Sequence, residues 1–206
     1  VHEFMGDFVE FPDIISMCAE AGRPNMVFEF ASTSKITFPG AGMSVMASSE
    51  ENIKYMTKLI SAQMISYDKI NQLRHVKYLR NREHTLEIMK RHAEIMAPKF
   101  EMCLKILRQE VTNRGIAHWH HPTGGYFICV AAMPGTARRT LELCRQAGVV
   151  MTDAGATYPY GVDPHDSMIR IAPSLPPIEE LEIAMSVFCV SLKMAALEKY
   201  LGIYPY

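Results

Sequence analysis

A helical pattern from about Asn81 to Asn113 constrains the fold of this chain more than any other feature. Leu86, Met89, Ile95, Met96, Phe100, Leu104 and Leu107 recur along it as an apolar stripe. Asn113-Arg114-Gly115 closes it in the manner of a helix C-terminus. Pro98 falls inside, which predicts a kink. The texture differs on the two sides. Before the helix, two short apolar runs flank a Gly- and Pro-rich turn, and two helical patterns follow. After it, short strands and helices alternate. That order predicts an α/β fold with a domain boundary near the long helix.

The first half opens with Phe11-Pro12-Asp13 as a helix start, and Ile14, Ile15, Met17, Cys18 and Ala21 form its stripe until Gly22 and Pro24 stop it. Residues 27–31 read as a buried strand and residues 43–48 as a second one. Ser49-Glu50-Glu51 begins a helix carrying Ile53, Met56, Leu59, Ile60 and Met64. Another follows Ser66-Tyr67-Asp68, with Ile70, Leu73, Val76, Tyr78 and Leu79 as its apolar residues. In the second half, residues 126–131 read as a strand and 136–147 as a helix closed by Gly148. Residues 149–151 read as a short strand and 168–172 as a further one. Pro177 opens a final long helix that reaches Leu201-Gly202.

Composition excludes several classes of function. The 206 residues carry a net charge of −1, so there is no electrostatic footprint for nucleic acid or an anionic membrane. No apolar run approaches the roughly 20 residues that span a bilayer. The five cysteines are scattered and form no CxxC pair, which fits buried thiols in a reducing, cytoplasmic setting. Fifteen methionines point to an adaptable core. Val1-His2-Glu3-Phe4 reads as neither a signal nor a transit peptide, but as the interior of something longer.

The chemistry centres on Ala31-Ser32-Thr33-Ser34-Lys35-Ile36-Thr37-Phe38-Pro39-Gly40-Ala41-Gly42. A lysine at a strand end, among hydroxyls and before a glycine turn, suits Schiff-base chemistry on a phosphorylated aldehyde. Ser32 and Ser34 would donate to the phosphate, helped by backbone N–H groups of the turn. The tetrad alone fits a solvent-facing lysine at least as well. Arg170 ends an apolar run, where a guanidinium fork could take a carboxylate bidentately or pair with a nearby acid.

The order of these segments resolves the choice. The lysine segment, Pro122-Thr123-Gly124-Gly125-Tyr126-Phe127 and Met168-Ile169-Arg170-Ile171-Ala172-Pro173-Ser174 together resemble the C-terminal half of a fold-type-I, pyridoxal-phosphate-dependent aminotransferase. The wording Ser-Lys-Ile-Thr-Phe-Pro-Gly-Ala-Gly is similar to the subgroup of type Ic aspartate aminotransferases and MocR-like aminotransferase domains. The resemblance implies that residues 1–85 finish a large cofactor-binding domain with a mixed, mostly parallel sheet. Residues 86–206 would form the small α/β C-terminal domain, joined by the inter-domain helix at about 81–113.

The resemblance also implies roles. Lys35 would bind pyridoxal 5'-phosphate and shuttle the substrate α-proton. Ser32 and Ser34 would hold the phosphate, and Arg170 the substrate α-carboxylate. Many relatives carry an arginine eight residues after the lysine; Met43 stands there in this chain. Asp68, Lys69 or Asn71 would approach the substrate of a neighbouring subunit, with Asn71 the substrate-binding choice; for Asp68 a helix N-cap fits better. Gly124-Gly125 would let backbone approach the substrate. His118, His120 and His121 lack an acid or Cys partner at ligand spacing, so no metal is expected.

The implied activity is transamination between an L-amino acid, aspartate favoured, and a 2-oxo acid, 2-oxoglutarate favoured, in a cytoplasmic homodimer with shared active sites. A non-catalytic or regulatory aminotransferase-like domain is the alternative, as is a lyase on the same scaffold.

Overall fold

The computed structural model describes residues 11–203. They divide into two compact units, one ending at His92 and the other beginning at Ala93.

The first unit starts with α1 (Ile14–Glu20), capped by Asp13, whose carboxylate accepts from the Ser16 N–H at 3.0 Å. β1 (Phe28–Ser32) and β2 (Ser44–Ser48) pair antiparallel, from Phe28 opposite Ser48 to Ser32 opposite Ser44. α2 (Glu50–Gln63) is capped by Ser49 and carries Glu50 and Glu51 in its first turn, where the helix dipole favours negative charge. α3 (Lys69–Leu79) is capped by Asp68, which accepts from the Asn71 N–H at 2.9 Å, so that residue is the cap its sequence context favoured.

Burial in this unit differs from the sequence reading. β1 was expected to be a buried strand, yet all five of its residues are exposed, because nothing in the described chain covers either face. α1 and α2 bury no residue at all. On α3 the apolar stripe of Ile70, Leu73 and Val76 faces outward. Its inward face is polar and is built on Asn71 and His75, and His75 is 2% exposed.

α4 (Arg82–Val111) is one continuous helix with Pro98 inside it. It runs through the boundary between the units. Beyond the boundary, β3 (Ala117–Trp119), β4 (Ile128–Ala132) and β5 (Met168–Ile171) form an antiparallel sheet in that order. α5 (Ala137–Gln146) and α6 (Ile178–Tyr200) complete the second unit. Here the core is dense. Phe100, Leu104 and Leu107 of α4 pack with Ile128 and Val130 of β4, Ile169 of β5, and Phe188 and Leu192 of α6. Cys103, Cys144 and Cys189 are buried in the same cluster. Burial lifts the thiols of Cys103 and Cys189 to about 12.

Two boundaries in this unit move from expectation. Tyr126 and Phe127 stay outside β4 and belong to the turn before it. Residues 149–151 form no strand: the Val149 N–H is drawn back to the Cys144 carbonyl at 2.8 Å as α5 ends, which takes the segment away from ladder pairing. The described strands pair only antiparallel.

Candidate active site

The connection from β1 to β2 is wound tightly. The Thr33 N–H donates to the Met43 carbonyl at 2.8 Å, which continues the ladder by one rung. The Thr33 carbonyl then accepts from both Ile36 and Thr37 N–H at 2.9 Å, and the Ala41 N–H donates to the Phe38 carbonyl at 3.1 Å. Lys35 therefore sits in a single helical turn at a strand end. Gly42 packs against this turn so closely that a Cβ there would lie 3.0 Å from the Ser34 Cα. Only hydrogen fits that gap without displacing backbone.

Side chains of the turn divide between two sides. Ser32, Ser34 and Lys35 are exposed, while Thr33 and Thr37 are half-buried. The Ser32 hydroxyl donates to Ser34 Oγ at 3.0 Å and accepts from the Ser34 N–H at 3.2 Å. That link aligns two hydroxyls beside the lysine. Thr33 and Thr37 instead point to His75 on α3, at 3.1 and 2.8 Å from its Nε2. Asn71, one turn earlier on α3, donates from Nδ2 to the Ala41 carbonyl at 3.0 Å, and its Oδ1 is buried without a hydrogen-bond partner. Phe38 lies edge-on to His75, with ring centroids 5.4 Å apart.

Arg170 stands in the second unit on β5, opposite Cys129 of β4. Its neighbours Ile169 and Ile171 face the core, so strand alternation turns Arg170 to the other face. The strand is held at both ends. Asp163 accepts from the N–H groups of Ser167 at 2.7 Å and Met168 at 2.8 Å. Partial desolvation opposes its charge, but these bonds and one from the His165 N–H keep the carboxyl below its usual range. Past β5, Lys99 Nζ donates to the carbonyls of Ser174 at 2.7 Å and Pro176 at 2.6 Å.

The guanidinium of Arg170 lies over the Phe127 ring, and its Nε is buried without a hydrogen-bond partner. Among the described residues it is the one charged side chain lining a cavity of about 170 Å³ whose walls include Val149, Met151, Thr152, Ala172 and Phe188. A buried, unspent donor in an apolar setting is suited to an anionic ligand group.

Thus Ser32, Ser34 and Lys35 share one turn, Asn71 reaches the following loop from α3 through the Ala41 carbonyl, and Arg170 occupies the second unit. His75, Thr33, Thr37 and Phe127 belong to these sites and were not marked as site residues by sequence. The signal for His75 was its i, i+4 spacing from Asn71, a polar pair on a helix whose apolar residues draw the eye instead. Among the described residues no group of three metal-ligating side chains comes together.

Strand-end lysine turn, long helix and antiparallel second unit are the architecture of the fold-type-I aminotransferases. Within that class the chain belongs to the aspartate amino-transferase family, whose model matches residues 1–203. An aspartate aminotransferase of Corynebacterium glutamicum is 43% identical over 200 residues, covering 97% of this chain and 46% of the relative. The crystal structure of an aspartate transaminase from the same species matches with a TM-score of 0.90, covering 97% of this chain and 47% of that one. An α-aminoadipate aminotransferase from Thermus thermophilus, solved with N-(5'-phosphopyridoxyl)-L-leucine, shares the fold at a TM-score of 0.76 and 18% identity over 93% of this chain and 48% of its own. The chain spans about half the length of these relatives.

Proposed function

We propose that the intact protein is a pyridoxal-phosphate-dependent aminotransferase that moves the amino group of an L-amino acid, aspartate by preference, to 2-oxoglutarate or a similar 2-oxo acid. One observation carries this reading: Ser32, Ser34 and Lys35 are presented together on the outer side of a turn fixed from within. The donor set fits the cofactor. Paired hydroxyls suit phosphate oxygens, and a primary amine beside them suits an aldehyde.

When bound, pyridoxal phosphate supplies the electron sink that lets an α-proton leave a bound amino acid. The chain's own residues do the rest. Ser32 and Ser34 hold the phosphate, with Met43 at the position where an arginine stands in many relatives. Lys35 Nζ holds the aldehyde end and then moves the proton from the substrate α-carbon. The Arg170 fork takes the substrate α-carboxylate, and its unpartnered Nε supports that role. Asn71 is the residue of α3 proposed to approach the substrate of a neighbouring subunit, and its unpartnered Oδ1 supports that reading. The relatives named aspartate aminotransferase and aspartate transaminase support the substrate preference.

The exposed apolar faces of the first unit support a homodimer with shared active sites, since such surface is ordinarily covered. The free, largely buried cysteines favour the cytoplasm. No described helix is long and apolar enough to cross a membrane.

The test uses the intact protein with L-aspartate. The cofactor absorbance should convert to the pyridoxamine form, and 2-oxoglutarate should reverse it. No conversion with any amino acid would leave the non-catalytic reading in its place. Lys35→Ala should abolish borohydride-trapped cofactor at that residue.

A further inference from the structure

We propose that His75, acting through Thr33 and Thr37, is the positioning residue for Lys35. The inference rests on the reading of Lys35 as the cofactor lysine, and it concerns groups that never touch substrate.

His75 is one of two buried residues among those described up to His92; the other is Ile88. Both of its ring nitrogens are engaged. Nδ1 lies 2.9 Å from the Asn71 carbonyl, which can only accept, so Nδ1 carries a proton. In the uncharged ring Nε2 then accepts, and the nearer hydroxyl is that of Thr37 at 2.8 Å. Thr33 Oγ1, 3.1 Å from the same nitrogen and 3.1 Å from Thr37 Oγ1, accepts from the Met43 N–H at 2.8 Å. The two threonines lie two residues before and two residues after Lys35. One buried ring thus fixes both ends of the turn that carries the amine, and ties that turn to the start of β2.

The geometry separates two duties within five residues. Ser32, Ser34 and Lys35 face outward for chemistry, while Thr33 and Thr37 face inward and set where the outward groups stand. Among the described residues the Thr33 and Thr37 hydroxyls are the partners of Nε2, Thr37 the nearer, and a buried ring nitrogen left unpaired is costly. Methyl in place of the Thr37 hydroxyl would remove the shorter of the two bonds to Nε2 and loosen the turn on α3 while keeping the side-chain volume. Asn71 adds a second tie from the same helix face, through Ala41.

The experiment compares Thr37→Val, Thr37→Ser, His75→Phe and His75→Gln in the intact protein. Thr37→Val and His75→Phe should lower kcat about tenfold with KM within about twofold, because the amine is misplaced while substrate binding is kept. Borohydride trapping at Lys35 should slow by a similar factor. In the unloaded protein, amide exchange at Ile36 and Thr37 should rise about tenfold, a local opening that leaves the second unit unchanged. Thr37→Ser and His75→Gln, which keep a hydrogen-bonding group in place, should restore most of each signal. Should His75→Phe fail to fold, the threonine pair carries the test alone. Wild-type kcat, trapping and amide exchange in Thr37→Val would overturn the inference. If the unsubstituted protein traps no cofactor at Lys35, the functional reading itself fails, and the exchange data then stand as a separate measure of the turn.

Discussion

The guanidinium carbon of Arg170 lies 4.4 Å from the centroid of the Phe127 ring. The two residues come from different strand ends of one sheet: Phe127 directly precedes β4, and Arg170 pairs with Cys129 two positions further on. An aromatic face beneath a planar cation restricts its tilt while leaving its N–H edge open to a carboxylate. Phe127→Leu should therefore raise KM for both amino-acid and oxo-acid substrates by about three- to thirtyfold, the range expected for losing a cation–π contact. Steady-state kinetics with both substrates check this, and an unchanged KM for both would show that the ring does not hold the cation.

Gly42→Ala tests how tightly the lysine turn is built. The new methyl would meet the Ser34 Cα at 3.0 Å and the Ser34 N at 3.2 Å, both backbone atoms that cannot swing aside. Overpacking of this kind costs about 1–3 kcal/mol. The expected result is a lower unfolding midpoint for the first unit together with weaker cofactor retention. Calorimetry and cofactor titration measure the two effects separately.

Between α5 and α6, Arg139 grips Glu198 with two bonds, from Nε at 2.7 Å and from Nη2 at 2.9 Å. The bonds from Arg139 hold the Glu198 carboxyl below its ordinary range. Its stabilisation is therefore fully present above the ordinary glutamate value of about 4.5 and is lost as pH falls through the lower folded value. Glu198→Gln should destabilise the protein by about 1.5–3 kcal/mol near neutrality, the range for hydrogen bonds to charged groups. The difference from wild type should shrink in acid. Urea melts across the acid range give the comparison, and a constant difference would remove Glu198 as the titrating group.

Residues 1–206 produced alone should bind a hydrophobic dye at least about twofold more strongly than the same mass of intact protein. β1 is exposed along its whole length, and Ile14, Met17, Leu59, Ile70, Leu73 and Val76 on α1 to α3 are exposed apolar residues. Dye fluorescence and light scattering on the two samples settle the matter.

Much of the fold was legible because its signals are local. Asp13, Ser49 and Asp68 act as helix caps wherever their side chains can reach an N–H two or three residues on. The long α4 follows from its periodic stripe. Lys35 and Arg170 stand out by company and order, through wording shared with a family, and their proposed roles rest on that resemblance. What stayed hidden depends on neighbours distant in sequence. Val149 and Val150 have strand-like side chains, but the Val149 N–H is spent on the Cys144 carbonyl at the end of α5. Residues 28–32 look buried because strands of such composition are buried once a larger sheet covers them. His75 is polar on a helix whose inward face could not be told from its outward one, since the apolar stripe of α3 turns away from the lysine turn.

The three buried thiols of the second unit make it self-reporting. Cys103, Cys144 and Cys189 are closed to reagents in the packed state, and burial raises the proton affinity of all three. Each becomes an ordinary reactive thiol only when that unit opens. The rate of thiol labelling at these positions is thus a clock for the opening of one half of the chain, readable by mass spectrometry while the other half is mutated, loaded or stripped.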